Sequence, residues 1–181
     1  MSQSLKEIKE ILAELTRKQV EADARWEQSN KEFKERWEKM EGVGLSNGMV
    51  AENYFYRSLR DGMTFGGVHY DDVDLNWRKK DKKKGVQGQY DIVMLNDTSV
   101  CLIEVKYRAR KEDVVKLWQK KVDSFKILFP EYAGHTFYLG IGGMCFEDEE
   151  SILEEAKEHG IGVLTIKGDI VEIQDDGLKA Y

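Results

Sequence analysis

The sequence predicts a mixed α/β domain that follows a long N-terminal helix. Three observations predict this fold class. Residues 1–41 have helical spacing without glycine or proline, residues 41–48 form a glycine-rich break, and strand-like apolar runs then alternate with amphipathic segments. The 181 residues have room for one ordinary domain and an appendage. We therefore divide the chain into a helical coiled-coil arm, residues 1–41, and an α/β domain, residues 42–181.

The arm carries an apolar seam whose positions are spaced alternately by three and four residues. Eight of the eleven seam positions are apolar, and polar side chains weaken the seam at the other three. One helix cannot bury such a seam in water, so we predict a coiled coil with another copy of the chain. Packing of the seam back on the domain is the alternative. The seam positions are Leu5, Ile8, Leu12, Leu15, Gln19, Ala22, Trp26, Ser29, Phe33, Arg36 and Met40.

The sequence of the first half of the domain predicts a helix followed by three strands. The segment "MVAENYFYRSLRD" repeats apolar residues at helical spacing, and Gly62 ends it. In the next strand Val73, Leu75 and Trp77 alternate with acidic or polar residues. "QYDIVML" and "SVCLIEVKY" are two further strands joined by the short link "NDT". We predict that these three strands form an antiparallel meander.

The sequence of the second half of the domain predicts a helix, a strand, a second helix and two further strands. "KEDVVKLWQKKVDSFKILF" is an amphipathic helix that ends before the only proline of the chain, Pro130. "TFYLGIGGM" is typical of a buried strand, "EDEESILEEAKEH" of a helix, and "IGVLTIKGDIVEI" of two short strands around a Lys-Gly turn. The apolar stripe of the amphipathic helix consists of Val115, Trp118, Val122, Phe125 and Phe129.

Composition excludes several functional classes. No apolar run approaches the ~20 residues that span a bilayer, and the N-terminus lacks the apolar core of a signal peptide. We therefore expect a cytoplasmic protein without a membrane partner. Cys101 and Cys145 stand singly in apolar segments, which indicates core packing rather than a zinc site or a disulfide. "GIGG" lacks the third glycine of a dinucleotide-binding fingerprint.

Two charged residues interrupt an apolar strand in "CLIEVKYRAR", residues 101–110. On a strand, residues two apart project from the same face, so Glu104 and Lys106 converge there. Glu-x-Lys occurs three more times in the sequence, each time in a predicted helix, where residues two apart point to different faces. The strand copy alone can therefore converge on one ligand.

A second carboxylate, Asp91, interrupts the neighbouring strand in the same way. A four-residue loop 96–99, or a tight turn at 97–98, places Asp91 opposite Glu104, and a two-residue turn at 96–97 shifts it by one diagonal on the same face. Two facing carboxylates repel each other, and Lys106 supplies only one positive charge. A divalent cation with oxygen ligands, Mg²⁺ or Mn²⁺, would supply the rest. Such a site fits phosphodiester hydrolysis.

This arrangement resembles the PD-(D/E)XK nuclease superfamily, whose signature is an Asp on one strand and Glu-x-Lys on the next. The proline of that signature is absent here. The resemblance implies a restriction-endonuclease-like core of helix, three-stranded antiparallel meander, helix and strand. It also implies that Asp91, Glu104 and the Val105 carbonyl bind metal, that Lys106 assists the attacking water, and that Glu52 is the glutamate that many members carry on the first helix. It does not cover residues 1–41.

Two other interpretations remain open at this point. The acids can be partners of Lys106 and Arg108 in a structural cluster of ion pairs. The chain can also be a non-catalytic nucleic-acid-binding or scaffold protein that keeps the fold and oligomerises through its arm.

Charge is unevenly distributed along the chain. The net charge is −6, but residues 52–126 hold 16 basic and 12 acidic side chains, and residues 127–181 hold 3 basic and 12 acidic ones. The segment "RKKDKKKG", residues 78–85, is predicted to protrude as a basic loop next to the site. Cations that flank an acidic site suit a phosphate backbone, so we expect a nucleic acid, DNA in particular, as partner. The candidate contacts are Arg78, Lys79, Lys80, Lys82, Lys83, Lys84, Arg108, Arg110, Lys116 and Lys120.

Overall fold

The computed structural model describes residues 8–9, 11–18, 20–21, 24, 47–167 and 170–181. The chain divides into two compact units, Met1–Gly44 with Lys167–Ile170 and Leu45–Ile166 with Val171–Tyr181. No helix within the described ranges is long and apolar enough to span a membrane.

The described residues of the arm are helical. Three of the predicted seam side chains, Ile8, Leu12 and Leu15, are 54–57% exposed. The other seam positions, and the predicted boundary between residues 41 and 42, lie outside the described residues. The coiled coil therefore stays a prediction.

The order of elements predicted for the domain is confirmed. Beyond that order, the chain forms a small hairpin after the first helix that the sequence analysis did not predict. The helices are α1 (Asn47–Gly62), α2 (Lys111–Lys116), α3 (Val122–Leu128) and α4 (Glu149–His159), with a π-helical turn, Leu117–Lys121, between α2 and α3. The strands are β1 (Thr64–Phe65), β2 (Val68–His69), β3 (Asp72–Asp81), β4 (Val86–Leu95), β5 (Ser99–Ala109), β6 (Thr136–Phe146), β7 (Gly162–Lys167) and β8 (Ile170–Gln174).

One six-stranded sheet forms the centre of the domain. Its strands are ordered β3-β4-β5-β6-β7-β8, with β3, β4 and β5 in an antiparallel meander. β6 pairs in parallel with β5 and β7, and α2 and α3 make the crossover from β5 to β6. β1 and β2 form a separate two-stranded hairpin. The predicted restriction-endonuclease-like core is therefore present.

Apolar side chains cover both faces of the sheet. On one face α1 packs Phe55 and Leu59 against a core that includes Cys101 and Ile103. On the other face α2, α3 and α4 enclose a core that includes Leu102. Because both faces are covered, β5 is apolar almost throughout, and charged side chains within it need an explanation.

The glycines of "GIGG" allow aromatic rings to approach the sheet closely. A Cβ atom on Gly140 would lie 2.8 Å from Cζ of Phe65, and one on Gly142 would lie 3.2 Å from the ring of Phe55. Both rings belong to the core under α1. The motif therefore serves packing within β6, where the sequence predicted a buried strand.

Side-chain alternation in β3 reverses at Asn76. This residue has a φ of +57°, and the pairing of β3 with β4 skips it. Val73 and Leu75 contact the core under α1, whereas Trp77 contacts the core on the opposite face. The sequence pattern predicted one common face for these three side chains. That prediction is wrong because the left-handed backbone at Asn76 turns the side chains that follow it to the opposite face, while the register with β4 stays the same on both sides of it.

The apolar stripe of the helix after β5 also differs from the prediction. The buried side chains there are Val114, Leu117, Val122, Phe125 and Leu128. Val115, Trp118 and Phe129 are only partly buried. The π-helical turn adds one residue between the two halves of the stripe, so a single 3.6-residue period cannot describe both.

Candidate active site

Asp91 and Glu104 lie where β4 and β5 part. The ladder between these strands runs from Leu95 opposite Val100 to Ile92 opposite Ile103, which confirms the predicted register. Before Asp91 the residues of β4 pair with β3, and after Ile103 those of β5 pair with β6. The two carboxylates therefore stand at a fork in the sheet, immediately beyond the last shared pair.

Three of the predicted site residues converge at this fork. The carboxylate of Asp91 accepts a hydrogen bond of 2.9 Å from the backbone N–H of Val105. Nζ of Lys106 lies 2.5 Å from Oε1 of Glu104 and 3.9 Å from Oδ2 of Asp91. The Asp91 and Glu104 side chains are only 6% and 14% exposed, so this is a buried charge cluster rather than a surface ion pair.

A fourth side chain, Lys121, completes the cluster. Its Nζ lies 2.6 Å from Oε2 of Glu104 and donates a hydrogen bond of 2.5 Å to the carbonyl of Gln89. The sequence analysis did not assign Lys121 to the site. A signal was present: Lys121 is seven residues from both Val114 and Leu128, which are buried against the sheet.

The two carboxyl groups have opposite pKa shifts. Burial, followed by repulsion from Glu104, raises the pKa of Asp91 from its usual value near 3.8 to about 6, against the opposing effect of the Val105 hydrogen bond. Burial also acts to raise the pKa of Glu104, but Lys121 and Lys106 outweigh it and lower that pKa. Asp91 is therefore the less well compensated carboxylate, since the Lys106 ammonium group lies 3.9 Å from it but 2.5 Å from Glu104.

Lys106 remains a cation at this site. Burial acts to lower its pKa, but attraction to Glu104, a hydrogen bond to the same carboxylate and attraction to Asp91 raise it above its usual value. The side chain therefore holds its proton at neutral pH and acts there as a hydrogen-bond donor.

The donor set fits a hard divalent cation. Asp91 and Glu104 offer carboxylate oxygens at one fork, and the backbone N–H of Val105, the residue after Glu104, donates to Asp91. Mg²⁺ and Mn²⁺ prefer oxygen ligands and keep several waters. Burial, the largest cause of the raised pKa of Asp91, and repulsion from Glu104 both disfavour its charged form, and a bound cation would offset these effects.

Glu52 lies near the cluster but is held by another partner. Its carboxylate accepts a hydrogen bond of 2.9 Å from Nδ2 of Asn76, the residue at which β3 reverses its alternation. The charge of Glu52 also raises the pKa of Asp91, so the two acids are within electrostatic reach. Glu52 does not join Asp91 and Glu104 in a three-ligand group among the described residues.

Another acidic cluster lies on α4. Ligand atoms of Glu155, Glu158 and His159 fall within 4.8 Å of one another. Glu155 pairs with Lys111 at 3.3 Å, and the ring of His159 stacks on Trp118. These contacts account for the cluster without a metal ion.

The basic segment after Trp77 is a hairpin rather than the predicted loop. β3 continues to Asp81, residues 82–85 form the turn, and Val86 begins β4. Successive strand residues face opposite sides, so Arg78 and Lys80 point away from Lys79. Nζ of Lys79 lies 4.6 Å from the ring centroid of Phe129.

The hairpin residues are exposed and border an open cavity. Arg78, Lys79, Lys80, Lys82, Lys83 and Lys84 are all exposed to solvent. Backbone N–H groups of Lys83 and Lys84 donate to the Asp81 carboxylate, which fixes the turn. The cavity, of about 330 Å³, is lined by Trp77, Arg78, Lys79, Phe129 and Glu131.

The remaining predicted contacts have different surroundings. Arg108 and Arg110 both pair with Glu147, at 3.5 and 3.3 Å, so a phosphate would compete with this carboxylate for them. Lys116 and Lys120 are exposed on the helical segment after β5. The basic side chains of the hairpin and of the helical segment are therefore more accessible to a phosphate than Arg108 and Arg110 are.

Solved structures of two nucleases are among those similar to this chain. One is a repair endonuclease from Pyrococcus abyssi, with a TM-score of 0.41 and 16% sequence identity, over 67% of this chain and 46% of the other. The second is the small subunit of a heterodimeric restriction endonuclease, with a TM-score of 0.38 and 19% identity, over 71% of this chain and 68% of the other. This chain thus covers less than half of the repair endonuclease. No family model and no curated protein matches the sequence.

Proposed function

We propose that the domain hydrolyses phosphodiester bonds of DNA with the help of Mg²⁺ or Mn²⁺. The observation that carries this proposal is the convergence of Asp91, Glu104 and Lys106 at the buried fork of β4 and β5. Burying these groups is costly for folding, and Asp91 is the less well compensated acid, because Lys106 lies 3.9 Å from it but 2.5 Å from Glu104. A metal-assisted reaction explains both features.

Each residue has a distinct part in the proposed reaction. Asp91, Glu104 and the Val105 carbonyl would hold the divalent ion, which when bound stabilises negative charge at phosphorus and lowers the pKa of water. The Val105 N–H fixes the orientation of Asp91. Lys106 is protonated, so its ammonium group orients the attacking water and stabilises charge that develops on the phosphate.

A cleavage assay tests this function. Linear, nicked and branched DNA are incubated with the full chain and Mg²⁺ or Mn²⁺, in parallel with EDTA. We expect cleavage with metal, none with EDTA, and a loss of at least about a hundredfold in Lys106→Ala. Lys111→Ala, which alters a lysine paired with Glu155 outside the fork, is the matched control and is expected to cleave normally. Unchanged cleavage by Lys106→Ala, or cleavage of no substrate, contradicts the proposal.

One observation favours the second candidate, a non-catalytic nucleic-acid-binding or scaffold protein. Both carboxylate oxygens of Glu104 already have an ammonium partner within 2.6 Å, so two acids and two lysines balance without metal. In that case DNA binding would be unaffected by EDTA and by Asp91→Asn. A filter-binding or fluorescence-anisotropy titration with these two changes separates the candidates when cleavage is absent.

We also propose that the chain self-associates through residues 1–41. The exposed apolar side chains of Ile8, Leu12 and Leu15 support this proposal, because their burial against a partner helix would lower the free energy of the helix in water. Ion pairs four residues apart, Lys18 with Glu14 and Arg17 with Glu21, further support the helix.

A further inference from the structure

Lys121 is held between the two strands of the fork, although the resemblance assigns it no role. Its ammonium group bridges the Gln89 carbonyl on β4 and the Glu104 carboxylate on β5. The same Nζ lies 5.3 Å from the ring centroid of Tyr90. The side chain is 24% exposed, so most of it is removed from water. A lysine placed so specifically is part of the site rather than a solvated surface group.

The charges at the fork balance without metal because of Lys121. Asp91 and Glu104 carry two negative charges, and Lys106 and Lys121 carry two positive ones. A buried Glu104 with a single ammonium partner would leave one carboxylate oxygen without charge compensation. A divalent cation that approaches the same carboxylate must therefore overcome repulsion from both lysines, or one of them must withdraw.

Lys121 can withdraw more readily than Lys106. Lys106 is on β5 itself and also faces Asp91 at 3.9 Å, so it interacts with both acids of the fork. Lys121 reaches Glu104 from a helical turn through a long flexible side chain. Its hydrogen bond to the Gln89 carbonyl offers the ammonium group a partner outside the acid pair. Release of Glu104 by Lys121 requires no movement of a strand.

We propose that Lys121 is a built-in counter-ion of Glu104 that competes with the divalent cation for this carboxylate. It holds the buried acid in the metal-free protein and sets how tightly the site binds metal. The inference rests on the proposed function, because it requires Glu104 to be a metal ligand.

Calorimetric titration of the full chain with Mn²⁺ tests the competition. Lys121→Met keeps an unbranched side chain and removes the charge. We expect its Kd for Mn²⁺ to be roughly three- to tenfold lower than that of the wild type, because one repelling charge is gone. We also expect a lower Tm in EDTA, because Glu104 loses one of its two partners. Lys120→Met, which alters the exposed neighbour on the same turn, is the control and should change neither quantity.

The possible outcomes separate this inference from the proposed function. If the wild type binds Mn²⁺ and Lys121→Met binds it equally or more weakly, the counter-ion role is wrong and the metal site stands. If the wild type binds no Mn²⁺, both proposals fail. Should Lys121→Met not fold, Lys121→Gln retains a donor for Glu104 without the charge, and tighter binding of Mn²⁺ is expected again.

Discussion

The burial of Asp91, a proposed metal ligand, has a cost to stability. Its folded-state pKa, about 6, lies above the usual value near 3.8, chiefly because the side chain is buried. The folded protein therefore holds a proton that the unfolded chain has already lost between these two pH values. The stabilising contribution is complete below about pH 4 and is lost as the pH rises through 6.

We accordingly predict that Asp91→Asn stabilises the metal-free protein at pH 7.5. Asparagine can still accept the hydrogen bond from Val105 but carries no charge. The gain in the free energy of unfolding should be up to about 3 kcal/mol at pH 7.5 and close to zero at pH 4. Urea unfolding in EDTA at several pH values measures it.

The control for this prediction is Asp97→Asn, which alters an exposed acid in the turn between β4 and β5. Its effect on the free energy of unfolding at pH 7.5 should be small. An Asp91→Asn protein that is less stable than the wild type at pH 7.5 would show that Asp91 is adequately compensated by Lys106.

The sequence predicted three members of the cluster but not the fourth. The alternation of side chains along a strand predicted that Glu104 and Lys106 share one face. The short link between β4 and β5 predicted that Asp91 lies opposite Glu104, and the structure has this register. Lys121 was missed because the stripe drawn through Val115, Trp118 and Val122 leaves it out, although it lies seven residues from the buried Val114 and Leu128.

At the scale of elements, two departures from regular structure lie close to the site. β4 and β5 diverge beyond the pair Ile92–Ile103, and β3 reverses its alternation at Asn76, which donates a hydrogen bond to Glu52. Left-handed backbone at a non-glycine residue has an energetic cost and is often found near functional sites. The sequence pattern of β3, in which apolar residues alternate regularly, gives no indication of this reversal.

The basic hairpin of β3 and β4 is the element that we expect to contact DNA phosphates. We predict that the triple variant Lys80→Ser, Lys82→Ser, Lys83→Ser binds duplex DNA more weakly. The slope of log K against log salt concentration should decrease in magnitude by up to about 3, because each phosphate contact releases a counterion. Fluorescence anisotropy at several salt concentrations, with metal replaced by EDTA, measures this slope.

Lys157→Ser is the comparison for the hairpin variant, because Lys157 is an exposed lysine on α4. It should leave the slope unchanged. An unchanged slope in the triple variant would place the DNA contact elsewhere, with the exposed lysines of the helical segment after β5 as the next residues to test.

At the scale of the whole molecule, the fold class was predictable because each local pattern agreed with the topology. Apolar strands, amphipathic helices and glycine breaks occur in the order that the structure has. The hairpin of β1 and β2 was missed because each strand has only two residues, too few to show a period. The boundary of the arm and the roles of the site residues remain predictions.

Self-association of the full chain is a further prediction at this scale. The double variant Leu12→Glu, Leu15→Glu places charge on the seam and should sediment as a monomer, whereas the wild type should sediment as a dimer or larger oligomer. The matched control Ala13→Glu, Thr16→Glu adds the same charge to exposed positions off the seam and should retain the oligomer. A monomeric wild type contradicts the coiled coil.

The central claim is that Asp91, Glu104 and Val105 form a divalent metal site at the fork of the sheet. The most direct measurement is the anomalous difference density of a crystal grown with Mn²⁺ at saturating concentration. The account predicts a peak about 2.0–2.2 Å from carboxylate oxygens of both acids and from the Val105 carbonyl oxygen, and no peak there in Asp91→Asn. An empty fork, with or without a peak at Glu155, Glu158 and His159, would contradict it.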